Sequence, residues 1–228
     1  MQLVQKYNKT RLKAFSIRAF VFALLSSLSS TVALAHPHNW ISIKTQFLVD
    51  ADNRLIEIQQ SWEFDAIYSM ITSASLKNAY DDETVGLKLM AEDMRKNLAR
   101  HNYFSNLIVD GNNIDIPRAN QASLRIEPQP PVSFMTLDFT IRFENPINLD
   151  GKKVVWSVYD PTYYIAMNHK SVDDISIVGG LNLECGKDLV IPNPTEETIA
   201  YANSLDQSRR DTDGLGDQFA ERAVIQCI

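Results

Sequence analysis

The sequence predicts an α+β fold that is mainly β. Antiparallel sandwich-like sheets would carry one inserted helical segment and short C-terminal helices. Three observations carry this. Apolar and polar residues alternate with period two in several runs, as in strands with one buried face. Turn residues separate those runs by only a few positions. Between about 65 and 101 the alternation stops, and apolar residues recur every three or four positions. Strand follows strand with the helices grouped, which favours antiparallel sheets over a parallel α/β arrangement.

The elements follow in order. Trp40–Val49 and Leu55–Phe64 both alternate around the Asp50-Ala-Asp-Asn53 turn and read as a hairpin. In the second run Ile56, Ile58 and Gln60 share one face and Leu55, Glu57 and Gln59 the other, with the pattern drifting towards Trp62 and Phe64. Ala66-Ile-Tyr68, Met70 and Ile71 suggest a first helix. Leu87, Leu89, Met90, Met94 and Leu98 suggest a second over about 83–101, with Asp81-Asp82-Glu83 at its positive end and His101 closing it. Tyr103–Ile116 reads as a hairpin around Asp110-Gly111. Ser123–Pro128 and Val132–Phe143 read as two strands broken at Pro128-Gln-Pro-Pro131. Met135, Leu137, Phe139, Ile141 and Phe143 keep strict alternation and define one buried face. Val154–Tyr159 is a further strand, ended by the Asp160-Pro-Thr-Tyr-Tyr164 corner. Short late strands follow over 173–178 and 187–191. Thr195 caps a helix with Glu196 and Glu197 in its first turn. A last helix is expected over Leu215–Ala223, then a strand or tail over Val224–Cys227.

Residues 1–35 read as a signal peptide. Lys6, Lys9, Arg11, Lys13 and Arg18 precede an apolar run from Ala19 to Leu28, and Ala33-Leu-Ala35 supplies a small-residue cleavage site. The apolar run is too short and Ser-rich to span a bilayer comfortably, so cleavage is expected rather than a retained anchor. The mature chain would be one domain, 36–228, placed in the periplasm, with no membrane span. The full chain has 22 basic and 28 acidic residues, a net of −6. Removing the signal leaves 17 against 28, a net of −11. That excess argues against nucleic acid and anionic membrane partners. The two cysteines, Cys185 and Cys227, both lie past the signal, and in an exported chain they are expected to form a disulfide.

Cleavage after Ala35 would make His36 the first residue of His-Pro-His-Asn-Trp-Ile41. Its free α-amine and imidazole can chelate one metal ion. His38 lies two residues on, so in an extended chain both rings face one side. Imidazole suits zinc, copper and nickel. Pro37 has no amide proton, which blocks the square-planar mode that deprotonates the second residue's nitrogen. The site would then be His36 plus His38, completed by one or two ligands from elsewhere, as in tetrahedral zinc sites. The bland alternative is a pair of solvated histidines before a strand.

Other motifs carry less. Asp211-Thr-Asp-Gly-Leu-Gly-Asp217 has calcium-loop features, but Leu215 and Arg222 stand where an EF-hand needs oxygen ligands. Glu63 and Asp65 could be acid/base groups, metal ligands or a solvated strand edge. His169, in Met-Asn-His-Lys, is expected to be solvated. No phosphate loop, serine elbow or paired-histidine helix motif is present.

His36-Pro-His-Asn-Trp-Ile41, Trp62-Glu-Phe-Asp-Ala-Ile-Tyr-Ser69, Phe104 with Val109-Asp-Gly111, Tyr159-Asp-Pro-Thr-Tyr-Tyr164 and a late cysteine together resemble domain-of-unknown-function family 1007. The resemblance covers essentially the whole mature chain. Its members are often labelled uncharacterised periplasmic components of ABC-type transport systems. The resemblance implies a periplasmic location and a link to zinc, nickel or cobalt handling, with a metal transporter or metal-receiving protein as partner. It implies no established activity. It points to His36, His38, Asp65 and Asp160 as metal-site positions. Two other classes remain open: a copper-dependent oxidative enzyme built on the amino-terminal histidine, and a metal-free interaction module.

Overall fold

A computed structural model describes residues 37–181, 183–205 and 214–228. His36 and residues 211–213 of the Asp211–Asp217 loop therefore lie outside the described residues, as does the signal-like segment.

The first hairpin forms as the alternation requires: β1 (Asn39–Val49) pairs antiparallel with β2 (Arg54–Phe64). Asp50 organises the turn by accepting from the Asp52 and Arg54 amides. Two helices follow, α1 (Ala66–Ala79) and α2 (Glu83–Ala99). Asp65 and Asp82 cap them, each accepting two backbone N–H groups that have no partner inside the helix. A 3₁₀ turn over Asn102–Phe104 leads to the hairpin β3 (Ser105–Val109) and β4 (Asn112–Ile114) around Asp110-Gly111. The longest hairpin is β5 (Gln121–Gln129) with β6 (Val132–Asn148), and β7 (Lys153–Val158) succeeds it. Short elements finish the chain: β8 (Ile165–Asn168), β9 (Ile175–Gly179), β10 (Cys185–Val190), α3 (Glu196–Ser204), α4 (Leu215–Gln218) and β11 (Arg222–Cys227).

These strands make two sheets. One has the order β5-β6-β2-β1-β8, with β9 also on β1; the other runs β10-β11-β7-β3-β4. All pairings are antiparallel except those of β8 and β9, which share the free edge of β1. β8 takes Asn39–Ser42 and β9 takes Thr45–Val49. The inner faces share one apolar core. Ile43, Phe47, Ile58, Trp62, Leu137 and Ile141 come from the first sheet, and Leu107, Val154, Trp156 and Ile225 from the second. Phe47 meets Trp156 edge-on, with ring centroids 6.4 Å apart. Leu76 of α1 and Ala91 of α2 join the same core. Ser69 fastens α1 to the sheet: its hydroxyl accepts from the Met135 amide and donates to the Phe64 carbonyl.

Two details differ from expectation. On β2 it is Leu55, not Ile56, that is fully buried with Ile58 and Gln60, because β2 carries one extra residue against β1, where Leu48 pairs with Glu57 and Val49 with Leu55. The extra residue reverses the side-chain phase. The last helix spans only Leu215–Gln218, and Arg222 already pairs with β10. Edge pairing and the burial of Ala223 and Ile225 overrule the helical continuation.

A candidate metal site at the head of the first strand

The head of β1 is held from two sides. The His38 amide donates to the Tyr164 carbonyl at 2.9 Å, and the His38 ring lies 4.6 Å from the Tyr164 ring. Asn39–Ser42 then run parallel to β8. On the other side, Trp40 and Asp65 are joined by backbone: the Asp65 amide donates to the Trp40 carbonyl at 3.0 Å. His38, Asp65 and the Asp160–Tyr164 corner thus come to one end of one sheet, although the sequence separates them by up to 126 positions. Pairing to the same strand does this.

The two aspartates are not equivalent. Asp160 is buried, and both of its oxygens are used. Oδ1 accepts from the Thr162 amide and hydroxyl, and Oδ2 from the Tyr164 and Ile165 amides. Four hydrogen bonds occupy the lone pairs of a carboxylate. Asp160 therefore shapes the corner that carries Tyr164. Gly216 backs the same corner: a Cβ there would stand 1.9 Å from the Asp160 carbonyl oxygen, so the glycine is required. Asp65 uses Oδ1 to cap α1, taking the Ile67 and Tyr68 amides at 2.9 Å each. Its Oδ2 has a longer contact, 3.4 Å from the Trp40 amide. Of the two, Asp65 keeps an oxygen with acceptor capacity. Among the described residues no three His, Cys, Asp or Glu side chains are grouped to hold a metal ion.

His169, expected to be solvated, is buried. It follows β8 and turns into the gap between β8 and β9 on the edge of β1. Its Nε2 lies 3.0 Å from the Thr45 hydroxyl and its Nδ1 3.3 Å from the Glu221 carboxylate. The chain of polar groups continues: the Gln60 amide donates to Thr45 at 2.9 Å, and the Trp62 indole N–H donates to Gln60 at 3.2 Å. Thr45 and Gln60 are buried too, and the Thr-His-Glu arrangement is a satisfied internal network. Sequence gave one clue to it, since Thr45 and Gln60 are polar residues on inward-facing positions. His101 heads the 3₁₀ turn and stacks on Phe104, with ring centroids 5.8 Å apart.

Cys185 and Cys227 form the expected disulfide, opposite one another in the β10–β11 ladder. No helix among the described residues is long and apolar enough to cross a membrane.

Fold and site define a disulfide-closed, mainly β domain with a histidine fixed at the head of its first strand. The chain belongs to the family described as protein of unknown function, DUF1007, which matches residues 21–227. An uncharacterized protein of Haemophilus influenzae is 31% identical over 212 residues, spanning 90% of this chain and 97% of that protein. No solved structure matches the chain.

Proposed function

We propose that this is a periplasmic accessory protein that buffers or delivers a transition metal, zinc before nickel, cobalt or copper, to a transporter or receiving protein. One observation carries the reading: the anchoring of His38 against Tyr164 at the point where the chain emerges from β1. A fixed exit presents the preceding residues from a rigid strand end rather than from a loose tail. Cleavage after Ala35 would put the His36 amine and imidazole there, two residues before His38. Asp65 Oδ2 offers an oxygen at the same end of the sheet. Nitrogen ligands with one carboxylate oxygen form a zinc donor set. Tyr164 and the Asp160 corner would orient the His38 ring from behind, the role outer groups play around metal-bound imidazoles.

Native mass spectrometry of the protein purified from the periplasm tests this. The reading expects a chain beginning at His36, two hydrogens short of the reduced mass, carrying one metal ion. A chain beginning elsewhere, or one that stays metal-free when zinc, nickel, cobalt or copper is supplied, would overturn it.

A further inference from the structure

α1 buries one face and leaves another apolar face in solvent. Ile67, Met70 and Ile71 are 68%, 61% and 58% exposed, and Ala74 is exposed as well. Positions 67, 70, 71 and 74 follow helical spacing and form one stripe along the outer side. Exposed large apolar side chains grouped in this way mark interaction surfaces.

We propose that the mature chain forms a two-fold symmetric dimer in which α1 packs antiparallel against α1 of a second copy. The argument is self-complementarity. In an antiparallel pair centred between Met70 and Ile71, positions equidistant from that centre face each other. Ile67 of one copy then meets Ala74 of the other, large against small, and Met70 meets Ile71. Charge follows the same symmetry. Lys77, the one charged residue within α1, lies 3.9 Å from Glu83 of its own chain, and across the two-fold it also falls within one position of Asp65, the acidic cap of the opposing helix. An isologous interface needs this kind of match between one patch and itself. Antiparallel alignment also sets each helix's negative end beside the other's positive end. A bilayer fits the patch poorly. Asp65 lies at one end of α1 and Asp81, Asp82 and Glu83 at the other, and the mature chain would carry a net of −11. One helix pair makes a small interface, so the dimer is concentration-dependent. The inference does not rest on metal binding.

Sedimentation equilibrium of the mature protein over a wide concentration range tests it, with Ile71→Arg and Lys77→Glu alongside. The expected mass rises from one chain to two. Ile71→Arg stays monomeric with an unchanged circular dichroism spectrum, and Lys77→Glu weakens association several-fold. Cysteine pairing reads the register directly and survives a variant that misfolds. Ile67→Cys and Ala74→Cys should cross-link to each other when mixed, more than either does alone. A protein that is monomeric throughout would overturn the dimer, whether or not it then binds phosphatidylcholine vesicles. So would a dimer that survives Ile71→Arg, or cross-links in another register.

Discussion

Glu221 holds His169 twice: one carboxylate oxygen accepts from the His169 amide at 2.8 Å and stands 3.3 Å from Nδ1 of the ring. Both residues are buried, and together they tie the end of β8 to the start of β11, one in each sheet. Replacing Glu221 by Ala strands a buried N–H. The expected loss is about 1–3 kcal/mol in a urea unfolding curve. Glu221→Gln keeps an acceptor and should lose less. Equal losses for the two variants would contradict this account of the contact.

Asp160→Asn separates a structural carboxylate from a ligand. One oxygen becomes an NH₂ group, which cannot accept from either donor it faces. If Oδ2 is the atom replaced, the Tyr164 and Ile165 amides lose their acceptor. Stability should fall by about 1–3 kcal/mol, while the number of metal ions bound at saturation stays the same. Loss of the metal with unchanged stability would reverse the assignment.

The disulfide closes a loop between residues 42 apart. In the chain-entropy view, Cys185→Ser with Cys227→Ser costs at most about 4 kcal/mol. Because β10 is held mainly through β11, the same change should raise amide exchange in β10 first. Uniform exchange across both sheets would show that the bridge acts globally instead.

Glu92 gives a pH signature. The Arg95 guanidinium, 2.7 Å away, draws its carboxyl down from 4.5 to about 2 against the opposing effect of desolvation, with Lys96 helping. Protonation is harder in the folded chain than in the unfolded one. The stabilising contribution is therefore complete above pH 4.5 and drains away as pH falls towards 2. Glu92→Gln should lower stability near neutrality by the pair's contribution and flatten the fall between pH 4.5 and 2. Both groups are near the surface, so raised salt should shrink the effect. An NMR titration midpoint near 4.5 for Glu92 would contradict it.

Local signals made most of the fold legible. Alternation and Asp-Gly or Asp-Asn turns specify hairpins, because partners lie a few residues apart. Thr195 and its two glutamates specify α3 in the same way. Three features were not legible, and each depends on distant partners. β8 and β9 lie parallel to β1 more than 120 positions away. His169 sits among polar neighbours in sequence, yet Glu221 and Thr45 bury it from 52 and 124 positions off. Arg222 and Ala223 could continue a helix, but β10 and β7 claim them as strand. At the candidate site, His38 was readable from its spacing. The split between Asp65 and Asp160 was not, since it turns on which oxygens the backbone has already engaged.

The metal claim rests on the His36 amine, and one comparison isolates it. Zinc titration calorimetry would set a chain prepared to begin at His36 against the same chain with one glycine added before His36. The added residue keeps both imidazoles but turns the His36 amine into an amide, which no longer chelates. The account expects one zinc ion per chain beginning at His36 and an affinity at least about tenfold weaker for the extended chain, a difference of about 1.4 kcal/mol. Equal affinity in the two chains, or no zinc bound by either, would contradict it.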